Sequence, residues 1–254
     1  MAGRPGHAIA IRKRGSSEVT MTATGSLEFP DVSTGFPRPI RRFRQSLDAQ
    51  RKTRIVALGS SSTAGTNGIV AFPARIEQSL RKTNFGCLID VLNRGVGGQE
   101  SPEELSRFEC DVIAEQPSLV IWQVGTNAAY RPEVYSPDDV EAALRVGLRW
   151  LAGLAIDAIV MDLQYTAAIV TVPSRLARAE DIQRRIEKVT SAADVNVFRR
   201  WNLMKSWHEA GQIPLSALDD GHGDRLHVSE AATAKISDVL ASAIMTAPAR
   251  WPDR

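Results

Sequence analysis

From Arg54 onward the chain alternates between two textures of apolar and polar positions. Short apolar runs rich in β-branched residues read as strands: Ile55-Val-Ala-Leu58, Cys87 to Leu92, Leu119 to Val124, Ala158 to Leu163 and Val195 to Phe198. Between them lie longer stretches with apolar residues at helical spacing: Phe72 to Thr83, Pro102 to Glu115, Pro137 to Ala152, Ser174 to Ala192 and Ser229 to Thr246. Strands that alternate with helices of this length build βαβ units, hence a parallel sheet with helices on both faces. Leu119-Val-Ile-Trp122 and Ala158-Ile-Val-Met161 are apolar almost throughout, as strands covered on both sides must be. The pattern predicts one α/β domain over residues 54–254, a three-layer α/β/α sandwich around a central parallel sheet of about five strands.

Residues 1–53 have a different texture. They scatter Gly and Pro, lack apolar periodicity, and predict a basic, poorly structured N-terminal arm. Only Ile40 to Gln50 predicts a short helix, laid on the domain surface through Ile40, Phe43 and Leu47.

Composition adds little until it is divided. The 254 residues are 43% hydrophobic and 24% charged, those of a globular chain, and the formal net charge of +2 gives no global reason to expect a nucleic-acid partner. Residues 1–54, however, hold 11 basic and 4 acidic side chains, net +7, which leaves 55–254 at net −5. The two cysteines, Cys87 and Cys110, show no metal-ligand spacing and no disulfide framework, so both are expected to be buried small apolar residues. No apolar run approaches the ~20 residues needed for a transmembrane helix. The apolar stretch Ala8 to Ile11 is shorter than a secretory signal core, so a cytoplasmic protein is expected rather than an exported one, with Met21 as an alternative start.

In open parallel sheets, ligands bind beyond the carboxyl ends of the strands, so the loops that follow each strand carry the candidate chemistry. After the first strand comes Gly59-Ser-Ser-Ser-Thr-Ala-Gly65, a turn that exposes hydroxyls and backbone N–H groups. It lacks the lysine of a phosphate-binding loop, and no GxSxG elbow occurs in the chain. After the second comes the glycine-rich Asn93-Arg-Gly-Val-Gly-Gly98, and after the third Gly125-Thr-Asn127, whose amide is a candidate donor. Before the last helix stands Asp224-Arg-Leu-His227, where a carboxylate three residues from an imidazole can orient it as a base. A rival reading takes His222, Asp224 and His227 as metal ligands, but nothing elsewhere supplies a partner ligand, and no metal is expected. Together the four loops supply a nucleophilic hydroxyl, a base, an orienting acid and oxyanion donors, the parts needed for acyl transfer.

In these residues the chain resembles the SGNH (GDSL-type) hydrolase superfamily, from about residue 54 to 246. Gly59 to Gly65 is similar to the family's GDSxTxG block, Gly98 to its block-two glycine, Gly125-Thr126-Asn127 to GxND, and Asp224-Arg225-Leu226-His227 to DxxH. The resemblance implies a flavodoxin-like α/β fold and a carboxylic-ester hydrolase with Ser61 as nucleophile, His227 as base and Asp224 as orienting acid. It implies an oxyanion hole made by the Ser61 and Gly98 N–H groups and the Asn127 amide, with no cofactor. Ser60 and Ala128 stand where the family has acids, which weakens the expected hydrogen-bond support of the loops that hold Ser61 and Asn127. The implied substrate is a small-molecule or saccharide ester with a short, O-acetyl-type acyl group; nucleic acid and a transmembrane anchor are not expected. Gln164 and Tyr165, just after the fourth strand, are expected at the substrate. Two readings stand beside this one: a lysophospholipase or thioesterase of the same fold, and a non-catalytic ligand-binding domain.

Overall fold

A computed structural model describes Phe29 and residues 35–49, 52–66 and 68–250. Most of the basic arm, including His7 and Met21, lies outside the described residues. In chain order the elements are α1 (Arg41–Asp48), β1 (Thr53–Gly59), α2 (Ser61–Ala64), α3 (Phe72–Thr83), β2 (Ile89–Gly95), α4 (Ser101–Ser106) and α5 (Phe108–Asp111). Then follow β3 (Leu119–Gln123), α6 (Thr126–Tyr130), α7 (Pro137–Gly153), β4 (Asp157–Met161) and α8 (Ala167–Val170). The chain closes with α9 (Pro173–Ala192), β5 (Asn196–Phe198), α10 (Arg200–Glu209), α11 (Leu215–Leu218) and α12 (Glu230–Thr246).

Among the described residues the five strands form one parallel sheet in the order β2-β1-β3-β4-β5. The order reverses between β1 and β3, so the chain leaves these two strands toward opposite faces and opens a crevice at their carboxyl ends. Alternation along β1 shows how two cores share the sheet. Ile55 and Ala57 face α1, α3, α10 and α12 with Phe43, Ile76, Trp207 and Leu240, while Val56 and Leu58 face α5, α7 and α9 with Phe108, Leu144 and Ile182. No helix among the described residues is long and apolar enough to cross a membrane.

Some boundaries differ from those expected. Gly86 at φ +89° turns the chain after α3 and leaves Leu88 half exposed, so β2 starts at Ile89 rather than at Cys87. The cysteines are not the buried residues expected: Cys87 is half-buried in that turn and Cys110 is exposed. The single helix expected from Pro102 to Glu115 is broken at Arg107, whose guanidinium reaches back to the Gly59 carbonyl (3.3 Å), the Arg94 carbonyl (2.9 Å) and Gln99 (2.7 Å).

The segment before β1 is packed more deeply than a surface helix. Phe36, Ile40, Phe43 and Leu47 are buried in the sheet's first core, and the Arg42 and Phe43 N–H groups donate to Asp157 Oδ2 at 2.7 and 3.0 Å. Arg38 N–H donates to Asn196 Oδ1 (3.0 Å), and the Asn196 amide donates back to the Arg38 carbonyl (2.8 Å). The packed body therefore begins ahead of residue 54. Its contacts here are with Thr53, Asp157 and Asn196, the first residues of β1, β4 and β5, at the end of the sheet away from the crevice.

Candidate active site

Ser61 is the first residue of α2, immediately after β1 and its extended cap Ser60. The strand can be followed so abruptly by a helix because β2 runs against it with a bare backbone. A Cβ built on Gly95 would lie 2.1 Å from the Ala64 nitrogen, a distance no side chain tolerates. Gln123, the last residue of β3, holds the turn from below: its Oε1 accepts from the Ser60 N–H (3.2 Å), the Ser60 hydroxyl (3.0 Å) and the Thr63 hydroxyl (3.2 Å). The support expected to weaken when Ser60 replaced an acid comes instead from a side chain of the next strand.

His227 meets this turn from the other end of the chain, its Nε2 3.0 Å from Ser61 Oγ. With the imidazole proton on Nδ1, the serine hydroxyl donates to Nε2, the arrangement a general base requires. The loop that presents His227 is pinned on each side. Arg225, at φ +56°, grips buried Asp219 with two hydrogen bonds of 3.1 Å each, Asp220 N–H donates to the His227 carbonyl (2.9 Å), and Ser229 caps α12. The Leu226 carbonyl accepts from Gln164 Nε2 (2.7 Å) and from the Thr166 hydroxyl (3.0 Å).

Asp224 is exposed and turned elsewhere. Its carboxylate accepts the Leu226 N–H at 3.0 Å and meets the Tyr130 hydroxyl, whose pKa is raised by burial first and by this contact second. The Tyr130 ring lies under the Arg175 guanidinium at 4.2 Å. Among the described residues no hydrogen bond joins Asp224 to the His227 ring, and no cluster of three or more His, Cys, Asp or Glu side chains is placed to hold a metal ion.

The expected oxyanion donors stand on the sheet's other loops. Gly97 and Gly98 form the turn beside Ser61: a Cβ on Gly97 would come within 3.9 Å of Ser61 Cβ, and Gly98 takes φ +80°. The Gly98 carbonyl points away and accepts the Tyr135 hydroxyl at 3.0 Å, while burial pushes the Tyr135 hydroxyl up to about 12. Asn127, buried at the start of α6, uses one amide hydrogen on the Gln99 carbonyl (2.7 Å), which fixes the side chain.

The two residues expected at the substrate are engaged in packing. Gln164 is fully buried; its Oε1 accepts the Ser62 hydroxyl (2.7 Å) while its Nε2 donates to the Leu226 carbonyl, so it ties the serine turn to the histidine loop and has no face for a ligand. Tyr165 packs edge-on against Trp201 at 5.0 Å and lies 6.0 Å from the His208 ring. A cavity of about 30 Å³ opens beside Ser61 and His227, walled by Thr66, Phe72, Met161 and Arg200 among others. Arg200 donates to the Asp162 carbonyl (2.9 Å), and burial pushes the Asp162 carboxyl up to about 7 and the guanidinium down to about 10. Gln123 and the buried Glu100 hold the turns around Ser60 and Asn127 without being marked by the sequence motifs, whereas Gln164, expected at the substrate, links two loops instead.

Residues 27–250 match the model of the non-GDSL lipase-like family. The uncharacterized lipoprotein YqeF of Bacillus subtilis (strain 168) is 34% identical over 77 residues, 30% of this chain and 32% of that protein; the chain thus spans about a third of the length of this curated relative. Among solved structures, a lipase/acylhydrolase from Enterococcus faecalis superposes with a TM-score of 0.63 at 18% identity, covering 75% of this chain and 94% of its own. Axe2, an acetylxylan esterase from Geobacillus stearothermophilus, gives a TM-score of 0.63 at 20% identity, covering 76% and 94%. At such identities the structures establish the fold, a five-stranded α/β sandwich of the SGNH hydrolase type, as the motifs implied.

Proposed function

This chain belongs to the non-GDSL lipase-like family, and from that membership and the Ser61–His227 contact we propose that it is a serine esterase acting on short-acyl, O-acetyl-type esters carried by a carbohydrate. The observation that carries the reading is the 3.0 Å approach of Ser61 Oγ to His227 Nε2, made by residues 166 positions apart. In the reaction the serine oxygen attacks the ester carbonyl as His227 takes its proton, and the imidazolium then protonates the departing alcohol. Water repeats the sequence on the acyl-enzyme. The Ser61 and Gly98 N–H groups and the second amide hydrogen of Asn127 receive the oxyanion, each donor contributing about 10²–10³ in rate. Asp224 acts through the loop: it accepts the N–H of Leu226, the residue before His227, and so helps hold the imidazole in place.

A cavity of about 30 Å³ beside the nucleophile supports a small acyl group, and the likeness to an acetylxylan esterase supports a saccharide alcohol. The test is hydrolysis of p-nitrophenyl esters from acetyl to dodecanoyl, and of acetylated xylooligosaccharides, by the protein and by Ser61→Ala. Acetyl esters should be fastest, and Ser61→Ala should lose at least ~10³-fold. Equal rates for the two proteins would remove the serine from the mechanism.

A further inference from the structure

Glu100 is a carboxylate in the protein interior, where an unpaired charge is costly. It lies between β2 and α4 at 2% exposure, and burial pushes its carboxyl upward against the hydrogen bonds it accepts. Those bonds are specific. Oε1 accepts from the Gly125 N–H (2.8 Å) and the Ser101 N–H (2.9 Å), and Oε2 accepts from the Ala128 N–H (3.0 Å). Gly125 and Ala128 bracket Asn127, and the neighbouring Gln99 carbonyl takes one hydrogen of the Asn127 amide at 2.7 Å. Two consecutive residues therefore hold the backbone on either side of the asparagine and its side chain. Residue 128 itself brings only a methyl group, so the turn has no acid of its own.

We propose that Glu100 is a positioning residue for the oxyanion site, a carboxylate supplied from the glycine-rich loop that clamps the Gly125–Ala128 turn and so aims the free Asn127 amide hydrogen at the reacting oxygen. This rests on the esterase reading above. Removing the clamp leaves substrate binding intact and misdirects a donor that acts chiefly in the transition state, so kcat falls while KM holds. A displacement of about 1 Å at such a donor costs on the order of 10²-fold.

The experiment measures kcat and KM on p-nitrophenyl acetate for Glu100→Gln, Glu100→Asp, Asn127→Ala and Glu100→Asp/Asn127→Ala, with Glu104→Gln as control. Glutamine presents an N–H to one of the backbone donors, and aspartate keeps the charge but falls short by a methylene. Glu104, one turn further on, is buried against the Trp122 Nε1–H (2.8 Å) and does not touch the turn, so its variant should keep wild-type kcat. Each Glu100 variant should lose 10- to 100-fold in kcat with KM within twofold, and the Asn127→Ala background should absorb that loss, leaving less than twofold. Losses that multiply in the double variant, kcat within threefold of wild type, or Glu100→Gln and Glu100→Asp both failing to fold would overturn the proposal. Fluorophosphonate labelling of the protein but not of Ser61→Ala separates the two readings. Labelling with unchanged Glu100 kinetics overturns the positioning role alone, whereas no labelling overturns both.

Discussion

Gln164 and Asp224 show what a single residue's position discloses. Both were expected from local pattern, one by its place after β4 and the other by its three-residue spacing from His227. The spacing brings Asp224 into the right loop, but its hydrogen bonds go to the Leu226 N–H and Tyr130. For Gln164 the decisive contacts, with Ser62 and Leu226, come from 102 and 62 residues away, and no local signal carries them. Gln123 and Glu100 were hidden for the same reason, whereas the blocks that hold Ser61, Asn127 and His227 could be picked out because each is short and local, the first two directly after a strand and the third directly before a helix. If Asp224 is the acid that serves His227, Asp224→Asn should lower kcat by about 10-fold or more while Asp220→Asn stays within threefold. A deeper loss in the Asp220 variant, measured by the same ester assay, would transfer the role.

At the level of elements, the four longest helices, α3, α7, α9 and α12, and the five strands follow from periodicity, since each buries one face or both against the sheet. What periodicity misses is where side chains interrupt it. Arg107 breaks a continuous helical pattern because its guanidinium satisfies three acceptors at the base of the site, and α6 and α11 are too short to show a period. β2 passes close against α2 at Gly95. Gly95→Ala would place a methyl 2.1 Å from the Ala64 nitrogen, so either the strand or the helix that carries Ser61 must move. The expected cost is about 1–3 kcal/mol or more in stability together with a drop in kcat, checked by thermal melting and ester hydrolysis. A variant with wild-type Tm and kcat would show that the two elements are not in contact in solution.

The whole molecule is polarised along its strands. Reactive groups collect at the carboxyl ends, while the amino ends are closed by residues 36–48, anchored on Asp157 and Asn196. Because the two ends are separate, damage at one should be silent at the other. Phe43→Ala, which empties a fully buried site, should cost about 3–5 kcal/mol and lower Tm by ~2–4 °C per kcal/mol, with kcat at 25 °C unchanged. A kcat that falls with Tm would mean that the ends are coupled. The charge division read from the sequence fits this polarity only in part, since the last third of the basic segment belongs to the packed body.

That same docking imposes an order on folding. α1 precedes every strand of the sheet, yet apart from Thr53 its hydrogen-bond partners are Asp157 and, through Arg44, the Met245 carbonyl, more than a hundred and up to 201 residues later, and Arg38 just ahead of it pairs with Asn196. During translation α1 can meet β1 early, but its partners in β4 and α12, and the β5 residue that Arg38 holds, emerge much later, so its docking is complete only once the sheet has assembled. Loop closure over such separations is slow, and residues 36–48 should be the last region to gain amide protection in a refolding pulse-labelling experiment. A helix that precedes the sheet in sequence would then be the last to settle on it.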